Sequence, residues 1–222
     1  FEDLENPDSN LATEIISSDG VILGKYFEKN RSQLKYSDLP KNLVDALVAT
    51  EDERFYEHSG IDGRGTLRAI VSLGTSGGAS TLTQQLAKQL FHGEGSKFLP
   101  FRIVQKIKEW IIAIRLERQY TKNEIIAMYC NVYDFGNHSV GVSSAAQTYF
   151  SKAPKDLTID ESAILVGMFK NSGLYNPVKN PQGVKNRRNV VLSQMEKGGI
   201  ITEGQKEKLQ ALPITLKFKL ES

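Results

Sequence analysis

The stretch VATEDERFYEHSGID, residues 48–62, sets acids on a helix face that is otherwise apolar. Leu43, Val44, Leu47 and Val48 recur at the spacing of one helical face, and that face continues through Glu51 to Phe55 and His58. Pro40 suits a first turn, so the spacing predicts a helix from there to about His58. Glu51 then stands four residues after Leu47, three after Val48 and four before Phe55, among apolar neighbours. Burial disfavours the charged form of a carboxylate, which suits a group that moves a proton near neutrality. The structural alternative is a surface Glu in an acidic turn, paired with Arg54 at i+3.

A second acid lies further along. Arg102, Lys106 and Glu109 follow i, i+4, i+7 on a helix expected over 101–120, and the same face continues apolar through Ile112, Ala113 and Leu116. Such a row can bind an anion through its cations while holding a carboxylate beside it. Its plain alternative is an i,i+3 Lys–Glu pair worth a few tenths of a kcal/mol. Between the two acids, GASTLTQQ at 78–85 joins a glycine-rich loop to a helix start with Ser80, Thr81 and Thr83, and Lys88 follows two turns on. Helix N-termini attract anions. This one is not a P-loop, because no Gly-Lys-Ser/Thr follows the glycines, and its alternative reading is an ordinary Ser80 N-cap. Arg187 and Arg188 could stand near an anion, although paired arginines on a helix more often form a solvated face.

Composition sets the outer bounds. With 222 residues, 40% hydrophobic and 24% charged, the chain fits one sizeable domain or two small ones with a real core. A net charge of +2, with no run of five or more like charges, is too small to argue for a nucleic-acid partner, and none is expected. The single Cys130 excludes an internal disulfide framework and reads as core filling. His58, His92 and His138 have no metal-ligand spacing among themselves or with Cys130. No run reaches the roughly 18 apolar residues of a membrane span.

The organisation is mainly α with a β element at each end. A hairpin is expected within 11–36 around a Ser-Asp-Gly turn, and a short helix, DGRGTLRAIVSLG, closed by Gly74. Later helices are expected at SVGVSSAAQTYF, TIDESAILVGMF and PQGVKNRRNVVLSQMEKGG. Capping boxes are expected at Thr121 with Glu124 and at Thr202 with Gln205. The start at Phe1 and the alternating ITLKFKL near the end give both termini a cut look, so we expect an excised fragment.

In chain order, five stretches resemble the motifs of the peptidoglycan glycosyltransferase domain of family fifty-one, found in class A penicillin-binding proteins and monofunctional transglycosylases. EDERFYEHSG at 51–60 resembles Glu-Asp-x-x-Phe-x-x-His-x-Gly, and GASTLTQQ is close to identical to the second motif. QKIKE at 105–109 matches the third except at Gln105, where the family usually has Arg. KNEIIAMYCN at 122–131 and RRNVVL at 187–192 match the fourth and fifth. Coverage runs from about residue 10 to the C-terminus.

The resemblance implies a lysozyme-like, mainly helical fold with a small membrane-contacting jaw and a short N-terminal β-hairpin. Expected boundaries are 1–38 for the hairpin and linker, 39–212 for the glycosyltransferase domain with the jaw near 88–120, and 213–222 for a strand leading to a following domain, as in the bifunctional class A type. It implies polymerisation of lipid II into β-1,4-linked glycan with inverting loss of undecaprenyl diphosphate. Glu51 is then the general base and Glu109 the acid beside the diphosphate, with a divalent cation, magnesium or manganese, as one candidate aid. Asp52, His58, Ser80, Thr81, Thr83, Gln84, Gln85, Lys88, Arg102, Lys106 and Lys108 are the expected substrate contacts.

Expected partners are lipid II, the growing strand, a membrane surface, moenomycin-type inhibitors and other cell-wall synthesis proteins. The implied location is the outer face of the bacterial cytoplasmic membrane, with an N-terminal transmembrane anchor outside this chain. Phe98, Leu99 and Phe101, flanked by Lys97 and Arg102, suit an interfacial surface or fold back onto the core. The competing functions are a lysozyme-like glycan hydrolase or lytic enzyme, which has no use for cations around a lipid diphosphate, and an inactive lipid II-binding scaffold.

Overall fold

The structure, a computed structural model, describes residues 13–16, 22–26, 33–65, 80–91 and 99–220, with side chains described at 33–65, 80–90 and 102–220. Residues 1–33 form one compact unit and 34–222 a second. In the first, β1 (Thr13–Ile16) pairs antiparallel with β2 (Ile22–Tyr26), Thr13 opposite Tyr26 and Ile15 opposite Gly24, with an irregularity between Ile15 and Ile16. The hairpin is where alternation puts it. Its Ser-Asp-Gly turn lies outside the described residues, as do most of the short helix expected before Gly74 and His92.

The second unit is helical. In chain order it holds α1 (Lys41–Glu51), α2 (Leu82–Phe91), α3 (Leu99–Gln119), α4 (Lys122–Val132), α5 (Gly141–Phe150), α6 (Ile159–Met168), α7 (Pro181–Lys197) and α8 (Glu203–Ala211). Every residue of α6 from Ser162 to Met168 is buried, so this helix is apolar all round and forms the centre of the core. Against it pack α1 and α7, contributing Leu43, Leu47, Val191, Leu192 and Met195. A second layer is built where α2 meets α3 and α4. Cys130 is core filling, and burial pushes its thiol up to about 12.

Local chemistry sets the helix ends. Thr121 with Glu124, Thr158 with Glu161 and Thr202 with Gln205 form reciprocal capping boxes, each side chain bonding the other residue's amide. The paired glycines after Lys197 stop α7, with Gly199 at φ 71°.

Three expectations need correction. The first helix stops at Glu51 rather than near His58, because Asp52 leaves helical geometry at φ −159°, ψ 73°. Its carboxylate is engaged elsewhere, as described below, and Phe55 reaches the core from a turn. The helix after the glycine-rich loop is capped by Thr81, whose Oγ1 accepts from the Gln84 amide, and not by Ser80. The C-terminal run 213–220 contains no strand. The amides of Lys217 and Lys219 instead donate to the Tyr149 and Thr148 carbonyls, which in the last turn of α5 lack intrahelical donors.

One glycine fixes how the turn after α1 meets α3. Gly60 holds φ 90°, and a Cβ there would stand 2.8 Å from the Ala113 carbonyl oxygen. Its own carbonyl accepts from Thr81 Oγ1 at 2.7 Å and Gln84 Nε2 at 3.3 Å. The turn that follows Glu51, the start of α2 and the middle of α3 are thereby held together.

Candidate active site

Glu51 is the last residue of α1, so its side chain leaves the helix at the edge of the core rather than in it. The side chain is 14% exposed. Arg187 of α7 donates from Nη2 to Oε1 at 3.0 Å, and Gln85 of α2 donates from Nε2 to Oε2 at 3.3 Å. The side chain is largely withdrawn from solvent, and a guanidinium accompanies the acid. Each oxygen spends one lone pair on a protein donor, and a carboxylate of this kind has one left on each for a further partner.

Arg187 reaches Glu51 across the surface of α6. A Cβ at Gly167 would stand 3.0 Å from Arg187 Cγ, so the missing side chain makes room for the arginine stem. The next residue points elsewhere, because successive positions on a helix diverge by about 100°. Arg188 is fully buried, donating to Asp160 at 2.9 Å and to the Gln210 and Leu212 carbonyls at 3.1 and 3.0 Å. The solvated-face reading of the arginine pair is therefore wrong for both.

Glu109 of α3 is 6% exposed. It accepts from Lys106 Nζ at 3.0 Å, and the same ammonium donates to Ser80 Oγ at 2.7 Å. Ser80 is free for this because Thr81 does the capping. Residues 80–85 thus touch both acids, Glu109 through Ser80 and Lys106, Glu51 through Gln85. The short segment joins two carboxylates carried by separate helices.

The remaining expected contacts divide into two groups. Asp52, His58, Thr81, Thr83 and Gln84 form a framework bonded within the protein. Asp52 accepts from the Leu82 amide at 2.9 Å, placing a negative charge at the α2 N-terminus, and from His58 Nε2 at 3.0 Å. Thr83 donates to Glu117 at 2.5 Å, and Glu117 pairs with Lys122. Lys122 in turn donates to the His58 carbonyl at 2.6 Å and lies 4.2 Å from the Phe55 ring centroid. Lys88, Arg102 and Lys108 make the second group, all exposed. Arg54 does not pair with Glu51; it bonds Asp62.

Two contributors to the Glu51 environment are not among the expected catalytic or substrate-contacting residues. Arg187 is legible in the sequence as half of a basic pair that could stand near an anion and as the start of the fifth motif. Tyr129, wholly buried in α4, donates from its hydroxyl to Gln85 Oε1 at 2.8 Å. Tyr129 lies within KNEIIAMYCN, the stretch that resembles the fourth motif, but its spacing alone reads as an ordinary core tyrosine.

The interfacial reading rests on different residues from those first named. Phe98 lies outside the described residues, and the side chains of Leu99 and Phe101 lie outside the described side chains. Further along α3, Ile103, Val104, Ile107 and Ile111 form a stripe, each about half exposed, with Arg102 and Lys108 also exposed on this helix. Among the described residues no helix is long and apolar enough to cross a membrane.

Residues 19–196 match the transglycosylase family, and the chain belongs to it. It is 41% identical over 200 residues to penicillin-binding protein 1A of Escherichia coli, covering 88% of this chain and 23% of the relative. It is 40% identical over 209 residues to penicillin-binding protein 1A of Vibrio cholerae, covering 92% and 25%, and 37% identical over 217 residues to penicillin-binding protein 1F of Bacillus subtilis, covering 96% and 30%. The chain therefore spans roughly a quarter of the length of these relatives. The crystal structure of penicillin-binding protein 1A from Haemophilus influenzae is similar in fold, with TM-score 0.52 at 26% identity, covering 94% of this chain and 22% of that one.

Proposed function

We propose that this chain is a peptidoglycan glycosyltransferase that extends glycan strands from lipid II, with Glu51 as general base. The observation that carries the reading is the state of the Glu51 carboxylate, held by one donor on each oxygen beside a polar segment whose Ser80 shares the Lys106 ammonium with Glu109. A base fixed in this way can accept the proton of a sugar hydroxyl without first searching for an orientation.

In the proposed reaction the 4-hydroxyl oxygen of the acceptor GlcNAc bonds to C1 of the donor MurNAc. Its proton passes to Glu51, and the bond from C1 to the diphosphate oxygen breaks, releasing undecaprenyl diphosphate. One in-line displacement inverts an α linkage to β. Negative charge grows on the departing diphosphate, and a preorganised ammonium at that point lowers the barrier. Lys106 supplies it, and Glu109 with Ser80 hold Lys106 in place. Glu109 acts here by aiming a cation.

The donor set does not fit a divalent cation held by the protein. Among the described residues no three His, Cys, Asp or Glu side chains converge, and Glu109 already carries an ammonium on Oε2. No step is assigned to a metal. The exposed apolar stripe on α3 with its neighbouring cations fits the surface of an anionic membrane, where a lipid-linked substrate resides. On this reading the work is done on the outer face of the cytoplasmic membrane.

Radiolabelled lipid II tests the function. Polymer formed without release of muropeptides from preformed glycan is expected. Cleavage of preformed glycan would show a hydrolase, and lipid II binding without turnover would show a scaffold; either overturns the reading.

A further inference from the structure

Tyr129 has no part in the proposed chemistry, yet its hydroxyl is the first donor in a chain that ends on Glu51. The ring is wholly buried and stacks on Phe169, with centroids 4.8 Å apart and planes 25° from parallel. Oη bonds Gln85 Oε1 at 2.8 Å, and Gln85 Nε2 bonds Glu51 Oε2 at 3.3 Å. The direction of these bonds follows from their end: an ionised carboxylate only accepts, so the amide nitrogen must face Glu51. The amide oxygen then faces Tyr129, and the phenol must donate.

A rotated amide would incur two penalties. Two oxygens would face each other across the Gln85–Glu51 contact, and the phenol hydrogen would lose its acceptor inside a dry core. We propose that Tyr129 is a positioning residue which locks the orientation of the Gln85 amide and, through it, the orientation of the Glu51 carboxylate. This rests on the reading of Glu51 as the base. Burial, and secondarily the nearby Glu51 charge, push the phenol well above its ordinary 10, so it keeps the proton it donates. Arg187 fixes only Oε1; without the phenol, one of the two penalties that hold the Gln85 amide against rotation is lost, and the donor to Oε2 is held less firmly.

The test uses Tyr129→Phe, which keeps the ring and its stacking while removing one oxygen. With lipid II as substrate, kcat is expected to fall about tenfold, the size of one net hydrogen bond, and KM to stay within about twofold. In a Gln85→Ala background the same substitution is expected to cost less than about twofold, because the lock has nothing left to hold. A purely structural Tyr129 would cost the same factor in both backgrounds, and that result, or an unchanged kcat in the parent background, overturns the proposal.

A second arm needs no turnover. The Gln85 side-chain amide resonances, assigned by their loss in Gln85→Ala, are expected as one set in the parent and as doubled or broadened signals in Tyr129→Phe. A single unshifted set in Tyr129→Phe overturns the lock. Absence of polymer from the parent chain would instead refute the functional reading, leaving the resonance arm to decide the lock by itself.

Discussion

Arg187 donates to Glu51 at 3.0 Å across 136 positions of chain, so the acid assigned as base is one half of an ion pair between the end of α1 and the middle of α7. Both side chains are nearly buried, and neither can be replaced without consequence for the other. Glu51→Gln is expected to remain folded but to lower polymerisation by at least about a hundredfold, the usual size of a lost general base. It is also expected to lose about 1–3 kcal/mol of stability, because the guanidinium keeps its burial and loses its counter-charge. Adding Arg187→Gln is expected to recover part of that stability and none of the activity. Chemical denaturation and lipid II turnover on the double-mutant cycle check both halves, and additive stability losses would mean the pair does not couple.

Lys106 and Glu109 are expected to separate binding from turnover. Lys106→Gln removes the cation itself, so turnover should fall about a hundredfold and a moenomycin-type inhibitor should bind more weakly. Glu109→Gln removes only the carboxylate that aims the cation. Turnover is expected to fall severely while the inhibitor still binds, because the ammonium and Ser80 remain. Inhibitor affinity by fluorescence and polymer yield on gels measure the two effects. Wild-type turnover in Glu109→Gln would remove that residue from the site.

The contrast between these sites explains what was legible in the sequence. Periodicity placed Glu51 within an apolar helix face and found Lys106 and Glu109 on one helix, because both facts are local. It overran the end of α1, since the signal that stops the helix is Asp52 bonding the Leu82 amide, thirty positions away. The Arg187 contact was hidden for the same reason, as was the Tyr129 hydroxyl reaching Gln85. Capping boxes were read correctly because both partners lie within one turn. The strand expected near the end failed because alternation marks an extended chain and does not name its partner, here the carbonyl end of α5.

Glu124 offers a test by pH. Its carboxylate accepts from the Thr121 amide and hydroxyl, which together hold its pKa below the ordinary 4.5. A lowered carboxyl binds fewer protons folded than unfolded, so its contribution is complete above 4.5 and is lost as pH falls through the folded value. Glu124→Gln is expected to melt below the parent at pH 7 and to converge with it in acid. Melting temperatures across pH 2–7 give the comparison. A difference that holds constant into acid would show that the capping role does not depend on charge.

Arg188 is a structural arginine in a motif whose neighbour serves the site. It is fully buried, pairs with Asp160 on α6 and closes the Gln210 and Leu212 carbonyls at the end of α8. Burial pushes the Asp160 carboxyl above its ordinary 3.8 despite the arginine's opposing pull. Arg188→Met keeps much of the volume but leaves that carboxyl and two carbonyls without their donor. The expected loss is about 3–5 kcal/mol, as for breaking a buried pair from one side. Asp160→Asn in the same chain should recover part of it, because the orphaned charge is removed while the carbonyls stay open. The activity of whatever remains folded should be close to that of the parent, since none of these contacts reaches Glu51 or Lys106. A folded Arg188→Met protein that cannot polymerise lipid II would show that α7 transmits the state of Arg188 to Arg187, one position earlier on the same turn.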